Sequence, residues 1–562
     1  MLCTPDSSFF SNPRGETSRA STSTPRVKTR RVTLKYSQPS SSPPHATKSN
    51  TSSPLSSPPT SSPASSPPQK RKSASLGGVP EPGSVRPRDV KRLRADTPRE
   101  RAVSSPKLGS RASKPIYRSS RRCWAAEEAG GPDPAHFSSE KAVGLLLRTY
   151  CAYFKNLNNP KDTSFKPHPT QYPVVELEYP NTNSSERFIL LAPKDKDHYN
   201  PIMDVEKTLY TIVEFYLTPQ QQALLGPMPS DTLFDLDAPS PSPPHSHSSS
   251  GSTSSLSSIS EPPNYLRAVQ RSIHRRDGPS FLNAFEDINR ILRELKYPKL
   301  PDPPPNALMK IVHRWKDAGL PKKVLMRIIE ENYQRSVGPH VQKLKQYEAF
   351  SSAVYGELMP SLVYEIIQLT KLKEDSLFLD LGSGVGNIVV QASLQTGCRS
   401  YGIELNPKPA KIARDMVANF RVRCRMWGIK CGDIELEEGD MLTSPRVNEL
   451  ISQADVLLVD NKVFEQSLNE QLRPKFLDLK EGAFVVSLVP FVPSLNARIS
   501  ERNVDDISTI FDVTECHYRS GSVSWGNGGG TYYIHRVDRS GYATIRAKFE
   551  SSRTGRSLRR RS

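Results

Sequence analysis

The chain has 562 residues, 51 of them proline, and only 35% are hydrophobic, so a large share cannot enter a packed core. Its net charge of +19 sits on the ends: residues 1–122 hold 24 Lys+Arg against 6 Asp+Glu, residues 551–562 hold five arginines and no acid, and residues 123–550 hold 48 basic and 52 acidic groups. Seven scattered cysteines with no CxxC argue against a metal site or a disulfide scaffold, and the lack of a long apolar run or an apolar leader argues against a membrane partner, so the chain reads as soluble and intracellular.

Residues 1–122 are low in complexity. Segments such as SSPPTSSPASSPPQK bury too little apolar area to offset chain entropy, so this region reads as a disordered basic tail. Such an arm suits a polyanion: DNA, RNA or a nucleosome. Its Ser-Pro and Thr-Pro pairs are candidate kinase sites. Lys70-Arg71-Lys72 and the run Arg86–Arg94 resemble a bipartite nuclear-import signal and point to the nucleus.

Residues 137–226 read as a small accessory module. It comprises a helix over 139–154, a hairpin of VVELEY (174–179) and RFILLA (187–192), and a helix opened by Pro201. That last helix places Ile202, Val205, Leu209, Ile212 and Tyr216 on one face. Residues 236–263 read as a second disordered linker, and 264–375 as a helical subdomain ending in a loop. Phe281, Phe285, Ile288, Leu292 and Leu295 mark one amphipathic helix there. Pro321 starts another, running to about Tyr333. Further helical segments fill 336–370 around a break at 354–359.

From residue 376 the pattern changes. SLFLDL (376–381), SYGIEL (400–405), ADVLLVD (454–460) and AFVVSLV (483–489) are continuous apolar strands separated by helical stretches. That alternation means a parallel sheet covered on both faces. DVTECHYR (512–519) and TYYIHRV (531–537) follow with no crossover helix between them, so they form an antiparallel pair at the sheet edge. Residues 376–545 are thus a Rossmann-like α/β core with a mostly parallel seven-stranded sheet, and 551–562 a basic C-terminal tail.

The sharpest motif is Leu379-Asp380-Leu381-Gly382-Ser383-Gly384-Val385-Gly386-Asn387, at the first turn from strand to helix. Glycines there let backbone pass close to a ligand. A G-x-G-x-x-G dinucleotide fingerprint fails in either frame, and no Gly-Lys-Ser/Thr follows for a phosphate loop. An acid at the strand end followed by G-x-G-x-G is instead the pattern of S-adenosylmethionine sites, where the acid meets the cofactor's ammonium group. Glu404, at the end of the second strand, is placed for the ribose hydroxyls. Asp440 and Met441, after the third, are placed for the adenine. Asp460-Asn461-Lys462-Val463-Phe464 closes the fourth, where the methyl group would emerge. It lacks the Pro-Pro usual in enzymes that methylate base amines, which weakens a nucleic-acid substrate.

These motifs come in a fixed order: Tyr355-Gly356-Glu357, DLGSGVGN, GIE, GDM, NKVF, LKEGAFVVSLVPF and VSWGNGGGTYYIHRVDR. Together they resemble the disruptor-of-telomeric-silencing family, the non-SET histone H3 lysine methyltransferases, in a fungal-type form with a long basic N-terminal tail. The resemblance spans roughly residues 265–545. It implies the class I S-adenosylmethionine-dependent fold and methyl transfer to a lysine in the core of nucleosomal histone H3. It also implies a chromatin regulator; the charge of the basic tail adds DNA contacts, the cysteine spacing argues for no metal, and the expected state is a monomer.

Residue roles follow from the same resemblance. Tyr355, Gly356 and Glu357 belong to a loop closing over the methionine end of the cofactor. Asp380, Gly382, Gly384, Gly386 and Asn387 line it, Glu404 binds ribose, and Asp440 and Met441 meet adenine. Asn461 sits beside the methyl group, and Phe464, Trp525 and Tyr532 wall a lysine channel; Asn461, Tyr532, Trp525 and Tyr355 form the catalytic set. Asn461 and Trp525 should approach each other across the pocket. Three departures stand out: Asp460-Asn461-Lys462 replaces Asn-Asn-Phe, Met441 replaces an aromatic, and Leu358 replaces a small hydroxyl residue. An RNA or non-histone protein methyltransferase, or a chromatin-binding protein without activity, is the competing reading.

Overall fold

The computed structural model describes Ala125 and residues 133–195, 198–229, 263–299, 305–344, 356–492 and 506–559. The basic tail (1–122) with its import signals, the linker (236–263) up to residue 262, and Tyr355 lie outside the described residues.

Helix α1 (Ser139–Leu145) starts where the Ser138 hydroxyl accepts the Lys141 N–H. The helix expected across 139–154 is cut short. After a 3-10 turn the chain extends as β1 (Tyr150–Ala152), because this segment finds an edge partner: it pairs antiparallel with the later strand β4 (Leu191–Pro193). Between them, β2 (Val174–Glu178) and β3 (Ser185–Ile189) make the expected hairpin. Asn200 caps α2 (Pro201–Tyr216), Pro201 occupies the first turn, and the five apolar positions read from the sequence are buried. The short α3 (Pro219–Ala223) follows behind a Thr218/Gln221 capping box.

Among the described residues six more helices precede the sheet: α4 (Tyr265–Arg275), α5 (Gly278–Lys296), α6 (Ala307–Ala318), α7 (Lys322–Ser336), α8 (Val341–Leu344) and α9 (Pro360–Leu369). The main core does not respect the boundaries expected at 226 and 375. One apolar cluster runs from Leu177, Phe188 and Leu209, through Phe285, Leu325 and Ile328, to Val389, Phe420 and Trp427. Each such side chain contributes roughly 1.5–3 kcal/mol on burial. Residues 137–226 are therefore part of the body, not a module resting on it.

At the centre of that junction lies a buried ionic network. Glu186 accepts both Nε (3.0 Å) and Nη2 (3.1 Å) of Arg335 and is paired with Arg423. Arg335 also reaches Asp204 (2.7 Å), which in turn pairs with Arg327. Glu331 accepts the Thr208 hydroxyl (2.6 Å) and the Trp427 indole N–H (2.9 Å). The partners come from β3, α2, α7 and the helix that follows the second parallel strand.

The sheet segment reads β5 (Leu377–Leu381), α10 (Asn387–Thr396), β6 (Arg399–Glu404), α11 (Pro407–Met426), β7 (Ile434–Glu438), α12 (Pro445–Ile451), β8 (Val456–Val459), α13 (Gln466–Leu472), β9 (Phe484–Ser487), β10 (Phe511–Tyr518), β11 (Gly530–Val537) and α14 (Arg539–Arg559). The strand order is β10-β11-β9-β8-β5-β6-β7, and the five strands β5 to β9 are parallel. β11 runs antiparallel to both of its neighbours, so β10 and β11 are the expected edge pair. This is the class I S-adenosylmethionine-dependent methyltransferase fold. Residues 551–559, read as a tail, continue α14 as helix. No described helix is long and apolar enough to cross a membrane.

Candidate active site

The parallel strands end at one edge of the sheet, and the crevice outside their carboxyl ends is where such folds bind ligands. Asp380 is the fourth residue of β5, Glu404 ends β6, Asp440 lies just past β7 and Asp460 just past β8. The turn after β5 needs its glycines: Gly382 (φ 91°), Gly384 (φ 54°) and Gly386 (φ 80°) all occupy the left-handed region. It is clamped to the end of β6, since the N–H groups of Gly382 and Ser383 both donate to the Ile403 carbonyl (2.9 Å each). The Glu404 carboxylate accepts the N–H of Gly384 (2.9 Å) and of Asn406 (2.8 Å).

Asp380 is 1% exposed, and neither carboxylate oxygen has a hydrogen-bond partner among the described residues. Burial, reinforced by the charges of Asp460 and Glu404, pushes its carboxyl well above the ordinary aspartate range. Burial likewise raises Asp460, to about 7, against the opposing pull of the Lys462 N–H and charge. Glu404 is raised by burial and partly restrained by its two backbone donors. Three carboxylates thus come together by the glycine turn, with no cation among the described residues to balance Asp380. That arrangement fits a ligand carrying an ammonium and a sulfonium. Asp440 has its carboxylate accepting the Leu442 N–H (2.8 Å), and the half-buried Met441 packs against the core formed by β5, β6, α12, β8 and β9.

Next to the glycine turn, on the Asn387 side, two loops are stitched together around a cavity that none of the strand-end acids lines. The Glu357 N–H donates to the Ser524 hydroxyl (2.9 Å), the Ser524 N–H to the Glu357 carbonyl (2.9 Å), and the Met359 N–H to the Ser522 carbonyl (2.9 Å). The Glu357 carboxylate accepts the Asn387 amide (3.0 Å) and the Tyr333 hydroxyl (3.2 Å), which ties the loop to α10 and α7. A Cβ on Gly356 would lie 2.6 Å from the Trp525 ring, so only glycine lets the indole lie flat on this loop. A largely apolar cavity of about 780 Å3 opens here, lined among others by Tyr333, Glu357, Met359, Asn387, Val523 and Trp525. Trp525 is 40% exposed.

Two sequence expectations need correction. Asn461 is 1% exposed, and its amide is saturated. Its Oδ1 accepts the N–H groups of Leu488 (3.0 Å) and Val489 (2.8 Å), and its Nδ2 donates to Asn469 (2.9 Å) and the Val489 carbonyl (3.0 Å). It ties the ends of β8 and β9 together and does not reach across to Trp525, so it is a positioning residue. Tyr532 is 2% exposed and faces the core with Leu358, Phe378 and Val486, so its ring walls no channel. Phe464 lies against Gly382, 3.7 Å from the place of a Cβ there. Sequence reasoning missed Tyr333, which carries no local motif, and gave no role to Ser524, which lies beside Trp525 in the VSWGNGGG stretch. It noted Asp460 only as a departure, although an acid at a strand end was the signal that singled out Asp380 and Glu404.

The family model described as histone methylation protein DOT1 matches residues 333–537. A protein of Cryptococcus neoformans named "Histone-lysine N-methyltransferase, H3 lysine-79 specific" is 35% identical over 460 residues, which cover 74% of this chain and 68% of that one. The chain belongs to the DOT1 family. A protein of the same name from Mycosarcoma maydis is 30% identical over 519 residues, and the match covers 72% of this chain and 62% of that protein's length. Among solved structures, the O-methyltransferase from Bacillus cereus in complex with SAH is similar at 16% identity and a TM-score of 0.25, over 40% of this chain and 96% of that one. Within the DOT1 frame the match begins inside α7 and ends with β11, so it holds the whole sheet, the glycine turn and both stitched loops.

Proposed function

We propose that this chain is an S-adenosylmethionine-dependent histone-lysine N-methyltransferase that acts on nucleosomal histone H3, at the core lysine its relatives' names give as lysine 79. The observation that carries the reading is Asp380. A carboxylate this deep and unpartnered is tolerable only when protonated or when a cationic ligand lies against it. When bound, the cofactor supplies an activated methyl group on a positively charged sulfur. Asp380 and Asp460 balance that charge. Glu404 holds the glycine turn and offers its remaining lone pairs to the ribose hydroxyls. Asp440 and Met441, at the end of β7, meet the adenine.

Trp525 presents an indole face to the incoming lysine ammonium, whose ordinary pKa is near 10.4. The apolar wall around it disfavours the charged form, so the proton leaves to solvent as the side chain enters. Asn461 keeps the ends of β8 and β9 fixed while this happens. The basic tail holds DNA of the same nucleosome in the nucleus and raises the encounter rate in a salt-dependent way.

The test is transfer of radiolabelled methyl from S-adenosylmethionine to nucleosomes, free histones and bulk RNA, with Gly384→Arg as the blocked control. Label on H3 within nucleosomes, absent from the control, is the expected result. Label confined to RNA, or none despite cofactor binding, would overturn the reading.

A further inference from the structure

Between residues 265 and 276 the chain carries Arg267, Arg271, His274, Arg275 and Arg276 and no acid at all. α4 turns Leu266, Val269 and Ser272 inward, which leaves Arg267, Arg271 and Arg275, at i, i+4 and i+8, as one exposed stripe on the opposite face. None of the three makes an ion pair among the described residues, whereas on the adjacent α5 Arg290 is bracketed by Asp287 (3.2 Å) and Glu294 (3.5 Å). Like charges at i, i+4 cost a helix about 0.2–0.5 kcal/mol per pair. The fold thus bears a local penalty on α4 that its neighbour avoids.

The stripe continues beyond the helix. The Lys155 N–H donates to the Arg276 carbonyl (2.9 Å), and the Gly278 N–H donates to the Lys155 carbonyl (3.0 Å). The ring of Phe165 occupies the space where Gly278 would carry a Cβ, which brings the exposed Lys166 to the same junction. Arg276 lies 5.2 Å from the centre of the Tyr153 ring, so its position is fixed. The acids nearest this face are engaged: Asp277 accepts the Ser280 hydroxyl (2.7 Å) and Glu206 accepts the Tyr210 hydroxyl (3.1 Å).

We propose that the outer face of α4, extended by Lys155 and Lys166, is a docking surface for the phosphate backbone of duplex DNA, separate from the basic tail. Three guanidinium groups over eight residues span about 12 Å, a length occupied by three to four phosphates of one strand at about 3.4 Å each. The stripe is straight, rigid and unpaired within a body that is otherwise slightly acidic, which is the charge complement of a duplex and not of a mixed protein surface. The proposal gives the nucleosomal reading a second handle and rests on that reading for its purpose. Binding to bare duplex is independent of methyl transfer.

The experiment is anisotropy of the full chain on a labelled duplex across a salt series. Arg267→Ala/Arg271→Ala/Arg275→Ala should make the slope of log affinity against log salt shallower by about 2.7, at about 0.9 per lost phosphate contact. The triple Arg→Lys variant should keep the slope. A charge-matched control, Arg290→Ala/Lys323→Ala/Arg414→Ala, should keep it too, and melting curves of all three should match the parent. An unchanged slope in the triple alanine variant overturns the proposal. So does weakened binding to an acidic histone dimer with DNA binding intact. A chain inactive on histones but with the expected slope change upholds this surface and counts only against the enzymatic reading.

Discussion

At the scale of residues, the site turns on carboxylates whose pKa values are pushed up in the free protein. Asp380→Asn removes the charge that a cationic cofactor meets. A hydrogen bond to a charged group is worth about 1.5–3 kcal/mol, so cofactor affinity should fall roughly 10- to 150-fold by calorimetry. The pH dependence follows from the same groups. Their folded pKa lies above the unfolded one, so the stability they contribute is complete below about 3.9 and is lost as pH rises through the folded value, about 7 for Asp460. The melting temperature of the free protein, relative to that of Asp460→Asn, should therefore fall between about pH 4 and 7. Cofactor affinity should rise over the same interval, with proton release measurable in two buffers of different ionisation enthalpy. An affinity flat in pH would sink the assignment. Strand-end acids were legible in the sequence because β5, β6 and β8 all end at one edge. The burial of Tyr532 was not: successive tyrosines in a strand face opposite sides, and only the packing of Leu358 and Phe378 decides what covers each side.

At the scale of elements, the wall of the cavity depends on two loops holding each other. Gly356→Ala would put a methyl group 2.6 Å from the Trp525 ring and force the indole or the loop aside. Overpacking of this kind costs about 1–3 kcal/mol. Because Gly356 and the half-exposed Trp525 themselves lie outside the core, the loss should appear in function: we expect kcat/KM on nucleosomes to fall about tenfold or more while the unfolding midpoint moves little. A midpoint shift with unchanged kinetics would show that the loop is merely structural. The continuous apolar runs of the sheet were legible as strands, since both faces are covered. β1 was not, because three residues extend only through pairing with β4, some 40 positions on, and local periodicity carries no trace of that partner.

At the scale of the molecule, the buried network joins β3, α2, α7 and α11 into one cooperative body. Burial alone would raise Glu186, yet Arg335 and Arg423 overcome it and hold its carboxyl well below the ordinary glutamate range. Its stabilisation is present above about pH 4.3 and is lost as pH falls through the depressed value. Glu186→Gln removes the main anion facing Arg423 and one of the two facing Arg335, and should destabilise the protein by about 3–5 kcal/mol. Calorimetry should show one lowered transition and not the melting of an N-terminal part alone.

The residues that match the DOT1 family, 333–537, take in only the last four residues of α7. A polypeptide cut to those limits would retain Arg335 and Arg423 and discard Glu186 and Asp204, the anions that neutralise them. It would also expose the inner faces of α10 and α11. Such a fragment carries every motif singled out in the sequence, yet we expect it to aggregate on expression while a piece begun ahead of α1, in a stretch where the sequence advertises no chemistry, stays in solution; sedimentation of the two expressed pieces checks this.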